Sequence, residues 1–442
     1  MLKVSNLIVS RFGGDAAANP DNVKKAAEII LSNPDRRFVI ISAPGANDES
    51  LGITDMLYLC YSNYVEHRDF EGVLMGISYR FKEIVSGLGI EFDVDAEIDA
   101  VRKSLVSGVN LDYIASRGEF IMSRIFAKFI GWEFVDTADM IFFDKDGKPD
   151  KEKTFNAASN KLKFLDNAII PSFYGTDANG KIKTCVRGDC DTSGALIACA
   201  VKADLFEKWS ESTKIFSADP NVIPNAEIVR HITYGEAIEL NYIGINIVKD
   251  EVSMLLNEAK IPMKIESIFG SDGDEMFITH ELPENVSRSP VVCITGHNNF
   301  NFINIHKIGL NKNYSFEDKL FAIFAKHSIA ARHYFTGIHR LSICLKNPRF
   351  DLKKNEILND IKQTVNPLSV TVTKDLSLIA VVGDGIMKVK GILDKILVAL
   401  SNADIELRVI DYGADEFNII LGVYDKDYAK AVKVLYENII VK

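Results

Sequence analysis

The sequence predicts an α/β chain: a mostly parallel, buried sheet with helices on both faces, followed by two small α+β units with antiparallel sheets. Three observations carry that expectation. The first half alternates short apolar runs with amphipathic stretches, the pattern of buried strands joined by helical crossovers. A polar segment with two prolines at 281–290 (ELPENVSRSP) then interrupts the chain as a linker. Beyond it, apolar runs and helical stretches recur in two portions of roughly 70–80 residues, the size of small α+β units. The similarity between the two portions is weak.

Taken in order, Lys3 to Val9 reads as a strand and Asp21 to Ser32 as an amphipathic helix. Phe38 to Ser42 (FVIIS) is a short apolar strand, and Thr54 to Tyr64 a helix. Phe120 to Phe129 is an apolar helix, and Lys145 to Lys153 a polar, exposed loop. Further strands are expected at Ala168 to Tyr174, Leu205 to Trp209 and Met263 to Ser267. In the tail, strands are expected at Val291 to Thr295, Arg340 to Lys346, Leu376 to Val382, Ile405 to Ile410 and Phe417 to Val423. Helices are expected at Ser315 to His327, Met387 to Ser401 and Lys426 to Glu437.

Composition narrows the function. The chain has 442 residues, more than one ordinary domain holds. Hydrophobic residues make up 47 % and charged residues 25 %, which places it among globular proteins. The net charge of -10 argues against a nucleic-acid partner. No apolar run reaches the roughly 20 residues that span a bilayer, and the N-terminus lacks the pattern of a signal peptide. A cytoplasmic protein with reduced cysteines is expected from six Cys without a Cys-x-x-Cys pair. The eight His show no zinc-ligand spacing, so no metal site of the chain's own is expected.

Five short motifs carry candidate chemistry. Arg11-Phe12-Gly13-Gly14-Asp15 follows the first strand. A cation and a Gly pair let backbone N–H groups approach a phosphate, or simply make a turn. Ser42-Ala43-Pro44-Gly45 and then Gly52-Ile53-Thr54-Asp55 end a strand and start a helix, the edge where open α/β sheets hold ligands. Arg117-Gly118-Glu119 opens an apolar helix, where Glu119 suits either an ammonium ligand or the helix dipole. Thr184 to Ala195 contains Arg187-Gly188-Asp189-Cys190-Asp191, a fork for a carboxylate beside a helix start, or a plain acidic cap. Trp209-Ser210-Glu211 and Phe216-Ser217-Ala218-Asp219-Pro220 form a loop after a strand.

In this order the motifs resemble those of aspartate kinase, in the amino-acid kinase superfamily. The resemblance covers essentially the whole chain. The tail resembles that family's paired ACT regulatory domains, at Asn299 to Gly309, Val381 to Met387 and Val409 to Ile419. It implies an amino-acid-kinase-like three-layer sandwich at 1–285 and ACT-like domains at 286–365 and 366–442. The implied activity is ATP-dependent phosphorylation of the L-aspartate β-carboxylate, opening lysine, threonine and methionine biosynthesis. Arg11 and Asp191 would be catalytic, and Gly13 and Gly14 would hold phosphate. Thr54, Glu119 and Arg187 would hold aspartate. Ser210, Glu211, Phe216 and Asp219 would face the nucleotide. Asn311, His339 and Glu416 would face an amino-acid effector. ATP and Mg²⁺, the ion held mainly by the nucleotide phosphates, are the implied cofactors, and a homodimer or homotetramer the implied assembly.

The chain departs from the family pattern on the nucleotide side. Arg11 stands for Lys, Asp15-Ala16 for Thr-Ser, and Asp189-Cys190 for Gly-Ser. Ser210-Glu211 replaces Thr-Asp, Asn221 replaces Arg, and Gly244-Ile245-Asn246-Ile247 replaces Gly-Ala-Lys-Val, with Lys249 three residues on. Two cations are lost and two carboxylates gained, so a kinase-like amino-acid sensor or regulatory subunit without catalysis is the alternative. In the effector region His339 replaces an Asp.

Overall fold

The computed structural model describes residues 6–46, 51–186, 190–210, 214–270, 275–310, 315–346, 349–413 and 417–441. The chain forms two compact units. The first comprises Met1–Ile215, Arg230–Asn241 and Asn246–Val286; the second comprises Phe216–Val229, Tyr242–Ile245 and Ser287–Lys442.

An eight-stranded sheet forms the middle of the first unit. Its order is His231–Thr233, Met276–Thr279, Met263–Ser267, Leu205–Ser210, Ile8–Phe12, Arg36–Ile41, Ala168–Pro171 and Glu133–Phe134. Every pairing is parallel except that of Met263–Ser267 with Met276–Thr279. Alternation along the strands separates two faces. Phe12, Val39, Ile41 and Ile169 join an apolar core with the helices Pro20–Leu31, Ile53–Val65, Glu71–Leu88, Val94–Val106 and Leu111–Ile130. On the opposite face the helix Asp191–Val201 packs on the strands Ile8–Phe12 and Leu205–Ser210, flanked by helices Lys151–Leu162 and Asp250–Glu258.

Several boundaries differ from the sequence expectation. The first strand runs on to Phe12, so Arg11 lies inside it, because the neighbouring strands continue to pair with it on both sides. The helix expected from Phe120 begins at Leu111, with Asn110 accepting from the Tyr113 N–H at 3.0 Å as its N-cap. Glu119 is therefore a mid-helix residue rather than a first-turn one. The polar stretch 145–153 is a loop only as far as Asp150, whose side chain caps a helix that starts at Lys151. Segment 281–290 contains neither helix nor strand.

The second unit carries a six-stranded antiparallel sheet. Its order is Ala331–Thr336, Arg340–Lys346, Cys293–His306, Ser369–Val382, Asn418–Tyr424 and Val409–Asp411. Two apolar cores lie against it. One gathers Ile303, Ile305, Leu341 and Ile343 under the helices Phe316–Lys326 and Arg349–Val365. The other gathers Ile294, Ile379, Val381, Ile419 and Leu421 under Ile392–Asn402 and Tyr428–Leu435. The cores interleave along the chain. The strand Cys293–His306 gives its first half to one core and its second half to the other, and Ser369–Val382 does the same in reverse. The ladder between these strands slips at 297–302, beside the left-handed residues Asn299 (φ 66°) and Asp375 (φ 57°).

Candidate active site

Six mutually parallel strands of the first unit end on one edge of its sheet, and the loops after Ile8–Phe12 and Arg36–Ile41 meet there. The Gly13 N–H donates to the Trp209 carbonyl at 3.0 Å, and the Gly45 N–H to the Gly14 carbonyl at 2.8 Å. A Cβ on Gly14 would lie 3.0 Å from the Ala43 carbonyl oxygen and 3.1 Å from Gly45, so this crossing needs glycine. Phe12 stacks on Trp209 at 5.6 Å between ring centroids. Below them Glu207 accepts from Ser10 Oγ (2.8 Å), Arg36 Nε (2.8 Å) and Trp209 Nε1 (3.0 Å). That buried network holds three adjacent strands in register under the glycine turn.

Asp191 opens the helix Asp191–Val201 at the same edge. Arg11 Nε lies 3.1 Å from its Oδ1, an ion pair without hydrogen-bond alignment, and Lys208 Nζ lies 2.8 Å from its Oδ2. Arg11 and Lys208 are register partners on adjacent strands, so both side chains leave the same face. Burial pushes the Asp191 carboxyl up, but Arg11, Lys208 and Lys249 outweigh it and hold the group below its ordinary value. Arg11 is lowered by burial and raised more by Asp191, Cys190 and Asp15, so its guanidinium stays charged. Burial pushes the Cys190 thiol up, against the charge of Arg11 and against bonds to Ser172 and Ser42, whose hydroxyls are 3.3 Å apart. Phe173 takes φ 77°, a strained position for a bulky residue, held by Ser193 Oγ on its N–H (3.0 Å) and by its carbonyl accepting from the Cys185 N–H (2.7 Å).

Glu119 lies a turn away. A Cβ on Gly118 would stand 2.9 Å from the Ala43 Cβ and 3.1 Å from Ile53, so the helices Ile53–Val65 and Leu111–Ile130 touch there. That contact brings Thr54 Oγ1 to 3.2 Å from Glu119 Oε1, while Glu119 Oε2 is buried without a hydrogen-bond partner. Burial pushes this carboxyl up to about 8, against hydrogen bonds from its own N–H, Thr54 and the Ala43 N–H and against the charge of Arg117.

The structure thus gathers Arg11, Gly13, Gly14 and Asp191 at one strand edge and joins Thr54 to Glu119. Ser210 ends the strand Leu205–Ser210 at the same edge. Phe216 and Asp219 lie in the second unit: the Phe216 carbonyl accepts from Cys293 Sγ (3.3 Å), and Asp219 accepts from the Asn221 N–H (2.9 Å). His339, on an exposed turn of that unit, accepts at Nδ1 from the Gly309 N–H at 3.1 Å. Arg187, Glu211, Asn311 and Glu416 lie outside the described residues. Lys208 is the residue that motif reading missed. Its signal is a lysine at the inward-facing step of a central strand, between Phe206 and the strand end.

The fold and this edge define a class: a three-layer α/β protein with clustered cations and a glycine cradle where parallel strands end, followed by a unit built on an antiparallel sheet. Residues 6–267 match the model of the amino acid kinase family, and residues 379–439 that of an ACT domain. The chain belongs to the amino acid kinase family. It is 34 % identical to the aspartate kinase of Clostridium acetobutylicum, described as an allosteric enzyme; the match covers 98 % of this chain and 100 % of that one at a TM-score of 0.91. Aspartokinase 3 of Bacillus subtilis is 25 % identical over 97 % of this chain and 98 % of its own. Aspartokinase III of Escherichia coli, solved with aspartate and ADP, shares the fold at 20 % identity and a TM-score of 0.72, covering 98 % of this chain and 99 % of that one.

Proposed function

We infer that the protein is an aspartate kinase, transferring the γ-phosphoryl group of ATP to the β-carboxylate of L-aspartate. The observation that carries the reading is the Asp191 carboxylate clamped by Arg11 and Lys208 beside the Gly13–Gly14 turn. Its full-length likeness to aspartate kinases supports the choice of substrate. A β-carboxylate is already ionised at neutral pH, so no general base is required. One of its oxygens attacks the γ-phosphorus, the bond to the bridging oxygen breaks, and ADP leaves as 4-phospho-L-aspartate forms. Positioning and charge neutralisation then dominate the rate.

In this reading Arg11 and the Gly13–Gly14 turn hold the transferring phosphate, while the Gly13 N–H itself stays on the Trp209 carbonyl. Asp191 orients Arg11 and keeps the cationic pair ordered before substrate arrives. Glu119, steadied by Thr54, takes the ammonium group of aspartate, and Arg187 takes a carboxylate. Ser210 and Glu211 belong to the nucleotide side. Among the described residues no group of three or more His, Cys, Asp or Glu is placed to hold a metal ion. Mg²⁺ is assigned mainly to the nucleotide phosphates, where it would supply charge neutralisation. The ACT-type unit is assigned to an amino-acid effector, with Asn311, His339 and Glu416 facing it, and to self-association as a homodimer or homotetramer.

Purified protein with ATP, Mg²⁺ and aspartate should form aspartyl phosphate, trapped by hydroxylamine as the hydroxamate. Absence of hydroxamate under conditions where aspartate binds would leave the amino-acid sensor as the surviving reading.

A further inference from the structure

We propose that Lys208 is a catalytic cation: its ammonium group leaves Asp191 to contact the nucleotide phosphates during transfer. The proposal rests on the kinase reading and adds to it a residue that none of the five motifs contains. Three features carry it. Arg11 and Lys208 lie side by side on neighbouring strands and bind opposite oxygens of one carboxylate, at 3.1 and 2.8 Å. Both cations thus bind one carboxylate at a site where Lys208 and Asp191 side chains are only 15 % and 13 % exposed. Two cations held side by side in a poorly hydrated place attract the phosphate chain of a nucleotide strongly.

Lys208 also lines a cavity of about 510 Å³ together with Asp191, Asn246, Ile247 and Lys249. Its Nζ donates to the Ile247 carbonyl at 3.0 Å, which anchors it at the cavity wall. The opposing segment presents Asn246, a neutral residue, so Lys208 and Lys249 are the cations on this cavity's lining. Two carboxylates lie there too. Asp250 and Glu251 occupy the first turn of the helix Asp250–Glu258, where the helix dipole accounts for them, and Asp250 accepts from Asn241 at 3.0 Å. On the Arg11 side Asp15 adds a further carboxylate, the fourth counting Asp191. The chemistry recognised is a nucleoside triphosphate chain. A flexible lysine suits it, because a compact charge on a four-carbon stem can follow charge as it passes to the departing diphosphate.

The test compares Lys208→Met, Lys208→Arg and the double variant Lys208→Met/Asn246→Lys. Hydroxamate kinetics give kcat and both KM values, and calorimetry gives Mg·ATP affinity. Lys208→Met should lose about 100-fold in kcat/KM for ATP, while KM for aspartate stays within about threefold of wild type. Lys208→Arg should recover part of the loss. Asn246→Lys in the Met background should recover at least tenfold, by returning a cation to the same cavity from its other wall; a merely structural role for Lys208 gives no such rescue. If Lys208→Met does not fold, Lys208→Gln keeps a donor for Ile247 without the charge and is read the same way. An ATP dependence within threefold of wild type in either neutral variant overturns the proposal. So does equal loss toward ATP and aspartate without rescue. Wild-type turnover is measured first, so that failure of the kinase reading itself is seen separately.

Discussion

Binding of an ammonium group by Glu119 must release a proton. The carboxyl sits at about 8 in the ligand-free site. At pH 7 the neutral form therefore outnumbers the charged form about tenfold, one unit of pH being a factor of ten. An ammonium group is held by the carboxylate, so the proton leaves as aspartate arrives. The apparent affinity should rise about tenfold per pH unit from 6 to 8 and level off above. Glu119→Gln should remove this dependence. On the plateau it should weaken binding by a charge-assisted hydrogen bond, about 1.5–3 kcal/mol or roughly 10- to 150-fold. The free protein responds in the opposite sense. A carboxyl whose folded value is raised holds its proton longer folded than unfolded, so its contribution to stability declines as pH climbs from 4.5 toward 8. That decline is at most about 5 kcal/mol, and Glu119→Gln should abolish it. The assay is calorimetric titration of aspartate at several pH values in phosphate and in Tris, whose ionisation enthalpies differ. Close to one proton should be released per aspartate at pH 7. A pH-independent affinity with no proton release would refute the assignment of Glu119 to the ammonium group.

Other substitutions probe the remaining parts. Asp191→Asn frees Arg11 and Lys208 from their shared partner and should lower kcat by about 10²- to 10³-fold; hydroxamate kinetics within tenfold of wild type would remove Asp191 from the mechanism. Gly14→Ala puts a methyl group 3.0 Å from the Ala43 carbonyl oxygen. It should cost about 1–3 kcal/mol of stability and at least tenfold in kcat/KM for ATP, and an unchanged melting temperature would show that the loops yield freely. Arg36→Met leaves Glu207 buried without its cation and should cost about 3–5 kcal/mol in urea unfolding. Arg36→Met/Glu207→Leu should be the more stable of the two, and the reverse order would mean the pair is not a closed charge unit.

The buried strands of the first unit were legible because apolar runs such as FVII leave little else to be. Helix starts were less so. Leu111–Ile130 begins nine residues before the apolar stretch that announces it, under an Asn110 cap that stands between Val109 and Leu111. The Glu119 environment followed from that: a first-turn position was expected, and a buried mid-helix carboxyl was found. The glycine cradle and Asp191 were legible as motifs, since a cation, a Gly pair and an acidic helix start keep their order in the chain. Lys208 was not, because its meaning comes from register with Arg11, a relation between residues 197 positions apart. Nor does sequence order disclose a strand that serves two cores, since alternation of apolar residues looks the same on either side of the division.

The two long strands Cys293–His306 and Ser369–Val382 act as beams common to both halves of the second unit. A cut after Lys346 would not free a folding module, because each half would lose a central strand segment along with its partner. Neither half can unfold, be exchanged or be expressed by itself with its sheet complete. The one place where the beams change course is the slipped register around Asn299 and Asp375. A twist imposed on one half is therefore passed to the other through backbone rather than through a side-chain relay, with that irregular stretch as the joint.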